Sequence, residues 1–209
     1  MIKLKKIRYG ERIHRTKVLG PYERSSIWVH GCCFSCEGCI GKHYKHGNYI
    51  ESSPEELAQW FLQDKEISHL TLSGGEPMLQ AESLNSMIRE IRKHRDTGVI
   101  VYTGFTYEAL KDKSREDKSI RTFLDCIDIL IDGPYIEKLD NNRPYVGSAN
   151  QNIILLTDRY NDVYKDYYYG AKGRRVELNF QNDKTILVGI PGKEQREMWL
   201  RIKKMGEGE

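Results

Sequence analysis

Apolar residues recur along this chain at two periods, every second position and every third or fourth, and the two patterns take turns from one end to the other. A period of two marks half-buried strands, and a period near 3.6 marks amphipathic helices. Around residues 2–8 and 12–18, apolar and polar positions alternate on either side of Tyr9-Gly10-Glu11, which predicts a β-hairpin turning there. Ser26-Ile27-Trp28-Val29-His30 predicts a short strand. Ser53-Pro54-Glu55-Glu56 opens a helix: Ser53 caps it, Pro54 suits the first turn, and Glu56 closes a capping box. Leu57, Trp60 and Phe61 form the buried face of that helix. Ile67 to Leu72 predicts a strand, and a helix over 80–94 carries Leu84, Met87, Ile88 and Ile91 on one face. Val99 to Tyr102 is the next strand, and a further helix begins over Thr106 to Lys111. The stretch Lys111 to Lys118 is charged and exposed. Phe123 and Leu124 belong to a short helix, Ile127 to Ile131 to a buried strand, and Asn152 to Leu156 to another.

Strands that alternate with helices predict an α/β fold with a mainly parallel sheet and right-handed crossovers. The distinctive residues fall just after the strands, on the sheet edge where active sites of barrels and open α/β sheets collect. Further on, Tyr160, Tyr164, Tyr167 and Tyr168 stand at helical spacing within Asp158 to Tyr169, and Gly170 ends that helix. Arg175 to Phe180 and Lys184 to Ile190 read as a hairpin, and Lys193 to Met205 as a last amphipathic helix. These pieces are expected to cover an open sheet edge. The alternative is a docking element, because tyrosines are favoured at interfaces. No repeat or linker divides the chain, so residues 1–155 read as the core and 156–209 as an extension packed on it.

Composition adds bounds. The 209 residues suit one domain with its own core. With 39% apolar and 30% charged residues, the chain is expected to be globular rather than disordered. No apolar run reaches the length that spans a membrane, and the basic start has no apolar stretch behind it, so a cytoplasmic protein is expected. The net charge of +3 points to neither nucleic acid nor membrane. Lys3, Lys5, Lys6, Arg8, Arg12, Arg15 and Lys17 cluster near the start, as a solvated face or as a docking surface for an acidic electron donor. Four of the five cysteines fall between positions 32 and 39, which favours a metal site over a disulfide framework.

Those cysteines sit in one glycine-flanked loop, His30-Gly31-Cys32-Cys33-Phe34-Ser35-Cys36-Glu37-Gly38-Cys39. Three thiolates leave the four-cysteine shell of an ordinary 4Fe-4S cluster one ligand short, so a cluster held here has one iron open to another ligand. Two spacings compete. Cys32, Cys36 and Cys39 form C-x3-C-x2-C, whereas Cys33, Cys36 and Cys39 form a ferredoxin-like run without its fourth cysteine. His43 and His46 allow a third reading, a structural Cys/His zinc site. One strand–helix unit later stands Thr71-Leu72-Ser73-Gly74-Gly75-Glu76-Pro77, whose glycines let backbone approach a ligand closely.

The cysteine loop followed by this turn resembles the radical S-adenosylmethionine (radical SAM) superfamily. Its hallmarks are a C-x3-C-x2-C loop and then a GGEP turn, matched here by Cys32, Cys36 and Cys39 and by Gly74, Gly75, Glu76 and Pro77. Within the superfamily the chain is most similar to the activating enzymes of glycyl radical enzymes, nearest those of anaerobic (class III) ribonucleotide reductase. The resemblance runs from about residue 18 to 155 and includes Ser26 to Cys32, Val101 to Thr106, Ile131 to Tyr135 and Gly147 to Gln151. Ile40 and Gly41 depart from the aromatic and asparagine usual there, and the chain runs past the usual end of those enzymes.

The resemblance implies a partial (β/α)6 TIM-like barrel in which Cys32, Cys36 and Cys39 bind a 4Fe-4S cluster and SAM chelates the fourth iron. It implies that Gly74, Gly75 and Glu76 meet the SAM amino group, with Pro77 stiffening the turn. It implies as well that Thr103 and Gly104 line the wall near the nucleoside and that Asp132, Ser148 and Asn150 contact SAM or the substrate backbone. For the last three, a turn-forming or helix-capping role is the alternative. The implied partners are a glycyl radical enzyme or peptide substrate and a flavodoxin- or ferredoxin-like electron donor. Of the remaining candidates, Cys33 reads as a packing or shielding residue, Cys126 as a small core residue, His43 and His46 as surface residues, and His30 as a packing residue or one that hydrogen-bonds toward the cluster.

Overall fold

The strands buried on both faces form the middle of one mixed sheet, as parallel strands covered by helices must. The computed structural model describes residues 5–169, 173–181 and 184–206. β2 (Arg24–Val29), β4 (His69–Gly74), β5 (Gly98–Tyr102) and β6 (Ile129–Asp132) run parallel in that order. β1 (Ile7–Thr16) and β3 (Ile50–Ser52) extend the sheet antiparallel beyond β2. β7 (Asn152–Leu155) extends it antiparallel beyond β6. The fold is α/β, and the described strands make an open seven-stranded sheet ending at β3 and β7. Four strands are parallel, where the six-unit barrel reading expected more. The connection from β6 to β7 contains no α-helix and returns the chain antiparallel.

The N-terminal hairpin differs from its expected form. Residues 1–4 lie outside the described residues. β1 runs unbroken through Gly10, and the strand it turns back to pair with is β2. Gly10 marks a bulge instead of a turn: Tyr9 pairs with Val29, and Glu11 with Trp28. A Cβ at Gly10 would stand 2.5 Å from the Tyr44 ring, so the residue is small because an aromatic side chain covers it. Several of the nearby basic residues are engaged within the chain. Arg15 bonds Asp64 and Glu66, and Arg12 lies over Trp60.

α1 (His43–His46) is a single turn after the cysteine loop. α2 (Pro54–Gln63) starts with the expected capping box: Ser53 Oγ accepts from Glu56 N–H at 3.1 Å, and Glu56 accepts from Ser53 N–H at 2.8 Å. α3 (Ala81–Arg92) follows β4, and α4 (Tyr107–Glu116) and α5 (Lys118–Leu124) follow β5. Thr106 caps α4, which runs on through most of the charged stretch expected after Lys111. Leu57, Phe61, Leu70, Leu72, Leu84, Met87, Ile88 and Ile91 are fully buried in one core cluster. Each such side chain contributes about 1.5–3 kcal/mol. Cys126 packs against this core and donates its S–H to Asn85.

α6 (Asn161–Tyr169) begins just after Tyr160, which is fully buried and bonded to His69 at 2.9 Å. Tyr164 packs on the same cluster, while the side chains of Tyr167 and Tyr168 and the stop at Gly170 lie outside the described residues. β8 (Val176–Phe180) and β9 (Thr185–Gly189) form the expected hairpin, and α7 (Lys193–Gly206) follows. Ile186 and Val188 pack on Ile13, Val18 and Leu19. Glu177 accepts from the Thr16 hydroxyl at 2.6 Å, and Lys184 pairs with Glu11 at 2.7 Å. No described helix is long and apolar enough to cross a membrane.

Candidate metal and cofactor site

The loops after β2, β4, β5 and β6 meet around one cavity of about 540 Å³. Cys32, Cys36 and Cys39 all line it, as do Ser73, Gly74, Gly75, Glu76, Thr103 and Gly104. Cys33 does not line it and is exposed. His43 and His46 are exposed residues at its rim. Among the described residues, no three His, Cys, Asp or Glu side chains converge on one metal position. The thiols share a cavity without being drawn to a common point.

The Gly-Gly turn fastens the start of the cysteine loop. Gly75 N–H donates to Val29 O at 2.7 Å, and Glu76 N–H donates to Gly31 O at 2.8 Å. Gly74 has φ +101°, and a Cβ there would stand 2.6 Å from Val29 O. A Cβ at Gly75 would run into the Gly31 carbonyl. Both glycines do permit close approach, and in this structure Gly74 approaches the end of β2 and Gly75 the start of the cysteine loop. Pro77 is buried and opens a 3-10 turn, Pro77–Gln80, whose Gln80 bonds the His30 carbonyl at 3.1 Å.

Glu76 joins two strand ends. Its side chain is buried, with the residue 1% exposed. Oε1 accepts from Met78 N–H at 2.9 Å and from the Thr103 hydroxyl at 2.8 Å, and Oε2 accepts from Gly104 N–H at 2.8 Å. Burial pushes its pKa up to about 7, while those three donors pull against the rise. An acid with a raised folded pKa stabilises the fold fully below its ordinary value of about 4.5 and loses that contribution as pH climbs through about 7. The urea midpoint of the metal-free protein is therefore expected to fall from about pH 5 to about pH 8, by up to about 3 kcal/mol in stability. Glu76→Gln flattens that profile and lowers the midpoint at the acid end, because its amide nitrogen faces an N–H. A wild-type midpoint that stays level across the range would show the group ionised throughout.

Burial also raises the Cys32 and Cys39 thiols above their ordinary pKa. Metal ligation must then displace protons from them, so loading is favoured at higher pH. The Cys36–Cys39 turn is closed by Cys39 N–H to Cys36 O at 3.4 Å, and Arg196 of α7 donates to Gly38 O at 2.7 Å. His30 is buried against Tyr49, with neither ring nitrogen partnered among the described residues.

Residues 18–154 match a family model described as a 4Fe-4S single cluster domain. The chain belongs to that family. Curated relatives agree. The anaerobic ribonucleoside-triphosphate reductase-activating protein of Haemophilus influenzae is 33% identical over 143 residues, 64% of this chain and 88% of the relative. The protein of that name from Pasteurella multocida is 34% identical over 152 residues, covering 67% and 92%. That of Enterobacteria phage T4 is 28% identical over 148 residues, covering 68% and 89%. Membership in a 4Fe-4S family decides between the zinc and iron–sulfur readings of the loop in favour of iron–sulfur.

The later residues of the 4Fe-4S family match are placed differently. Asp132 is buried and accepts from Tyr107 N–H at 2.7 Å and from the Asn152 backbone and side chain at 3.1 and 2.9 Å. Ser148 accepts from Ile136 N–H and donates to Asn150, which donates to Pro134 O. None of these three lines the cavity, and their bonds fold the loop after β6. Residues that do line it include Trp28, Tyr102, Tyr135 and Gln151, and from the extension Leu187, Ile190 and Pro191. Tyr102 has a buried hydroxyl without a described partner. Its place at the end of a buried apolar strand could have flagged it; nothing local in the sequence flags the extension residues.

Proposed function

We propose that this chain is a radical SAM enzyme whose partial barrel carries one 4Fe-4S cluster on Cys32, Cys36 and Cys39 and activates a glycyl radical enzyme, an anaerobic ribonucleotide reductase. The observation that carries the reading is the sharing of one cavity by these three thiols and the Gly74-Gly75-Glu76 turn, with Cys33 outside it. Three soft thiolates fit an iron–sulfur cluster that keeps one iron open. When bound, the cluster supplies the electron that splits SAM into methionine and a 5′-deoxyadenosyl radical, which takes a hydrogen atom from the substrate. The chain's own residues bind, orient and exclude water. Gly74 and Gly75 line the same cavity as the thiols, and side-chain-free backbone there suits close approach by an ammonium group. Glu76 keeps Thr103 and Gly104 in place against that turn. Leu187, Ile190 and Pro191 add apolar side chains to the lining of the cavity.

Names of the relatives support the substrate assignment, and a flavodoxin- or ferredoxin-like protein is the electron donor that this chemistry calls for. Anaerobic reconstitution with iron and sulfide, followed by reduction in the presence of SAM, is expected to yield 5′-deoxyadenosine. With purified anaerobic ribonucleotide reductase, a glycyl radical signal is expected by electron paramagnetic resonance. SAM cleavage with no such signal would move the substrate to a peptide or small metabolite; absence of cleavage would end the radical SAM reading.

A further inference from the structure

Two arginines bind the C-terminal segment to the wall of the cavity. The Arg174 side chain is 1% exposed. It donates to the carbonyls of Arg143 and Val146 at 3.1 Å and of Gly147 at 2.6 Å, and pairs with Asp140 at 2.8 Å. Arg196 reaches across from α7. Its Nη1 donates to Gly38 O at 2.7 Å, its Nη2 donates to Tyr135 Oη at 3.2 Å, and its guanidinium lies 5.7 Å from the Tyr135 ring centre. Glu137 stands 3.8 Å from the same guanidinium. Gly38 lies between Cys36 and Cys39, where the turn is otherwise closed by a single long backbone bond of 3.4 Å. The family match stops at residue 154, so both arginines belong to a part of the chain it does not cover.

We propose that Arg196 is a positioning residue that clamps the Cys36–Cys39 turn to the Tyr135 loop, so that retention of the cluster depends on the C-terminal segment. The inference rests on the cysteine assignment above. A planar guanidinium holds a carbonyl and a phenol from two separate nitrogens in fixed geometry, whereas a lysine ammonium must bring both acceptors to a single nitrogen. Arg174 and the packing of Ile186 and Val188 keep the segment seated, so Arg196 pulls from a fixed support. Residues that orient metal ligands from outside alter metal retention by about 10–100-fold when removed.

The test uses the full chain in two states. In the metal-free protein, Arg196→Ala is expected to speed amide hydrogen exchange across residues 36–39 while leaving the thermal midpoint of the whole protein unchanged. In the reconstituted protein, iron loss to a strong chelator becomes about 10-fold faster. Arg196→Lys restores part of both effects, and Tyr135→Phe, which keeps the ring but not the hydroxyl, shows part of the loss. Unchanged exchange and unchanged iron loss in Arg196→Ala overturn the proposal. So does a drop in the thermal midpoint that accounts for both effects and that lysine does not reverse, because the residue would then be serving the fold at large. If the wild type assembles no cluster, the cysteine assignment fails by itself. The exchange measurement then decides alone whether the clamp exists: faster exchange supports it, and unchanged exchange overturns it.

Discussion

Cys32→Ala is expected to abolish iron–sulfur cluster assembly, and Cys33→Ala to leave it intact. The two residues are neighbours with the same chemistry, so composition cannot separate them. Position does. Cys32 lines the cavity with Cys36 and Cys39, while Cys33 is exposed and outside it. Removing one of three thiolates leaves two, too few to hold a cluster against chelation by water and buffer. The measurement is iron and sulfide content after anaerobic reconstitution, with the charge-transfer absorption of the cluster as a second reading. Cluster content in Cys33→Ala as low as in Cys32→Ala would reverse the assignment to the ferredoxin-like spacing.

Gly74→Ala is expected to cost about 3–5 kcal/mol and to prevent cluster assembly as well. Two effects add. A left-handed φ of +101° is strained for any residue with a Cβ, and that Cβ would lie 2.6–2.7 Å from backbone atoms of Trp28 and Val29. Backbone cannot rotate away as a side chain can. Relief requires the end of β4 to part from the end of β2, which breaks the bonds from Gly75 to Val29 and from Glu76 to Gly31. A domain holds only about 5–15 kcal/mol in total, so the loss takes a large share. Gly104→Ala is the control: the atoms nearest its Cβ would be those of the Phe34 ring, which can turn aside, so its cost stays well below that of Gly74→Ala. Urea unfolding of the metal-free proteins measures both, and equal costs would refute the backbone-clash account.

Much of the site could be read locally. The spacing of Cys32, Cys36 and Cys39 is a matter of a few residues, and so are the Gly-Gly-Glu-Pro turn and the Ser53–Glu56 capping box. The central strands were equally plain, because parallel strands buried on both faces read as continuous apolar runs. Errors came where a residue's meaning depends on something distant. Gly10 carries a turn signal, yet the Tyr44 ring lying on it makes it a bulge. Asn152–Leu155 reads as one more strand of the series, but only its pairing with β6 shows it to be antiparallel.

By itself the sequence determined which loop gathers the thiols for an iron–sulfur cluster and which segments become strands and helices, since both follow from short spacings and local periodicity. Tertiary structure alone decided that Glu76 bridges two strand ends in a buried setting, that Cys33 stands outside the cavity, and that Arg196 reaches Gly38 from 158 positions away. Burial and contact between distant segments set those outcomes, and no local pattern of residues encodes the distance between two loops.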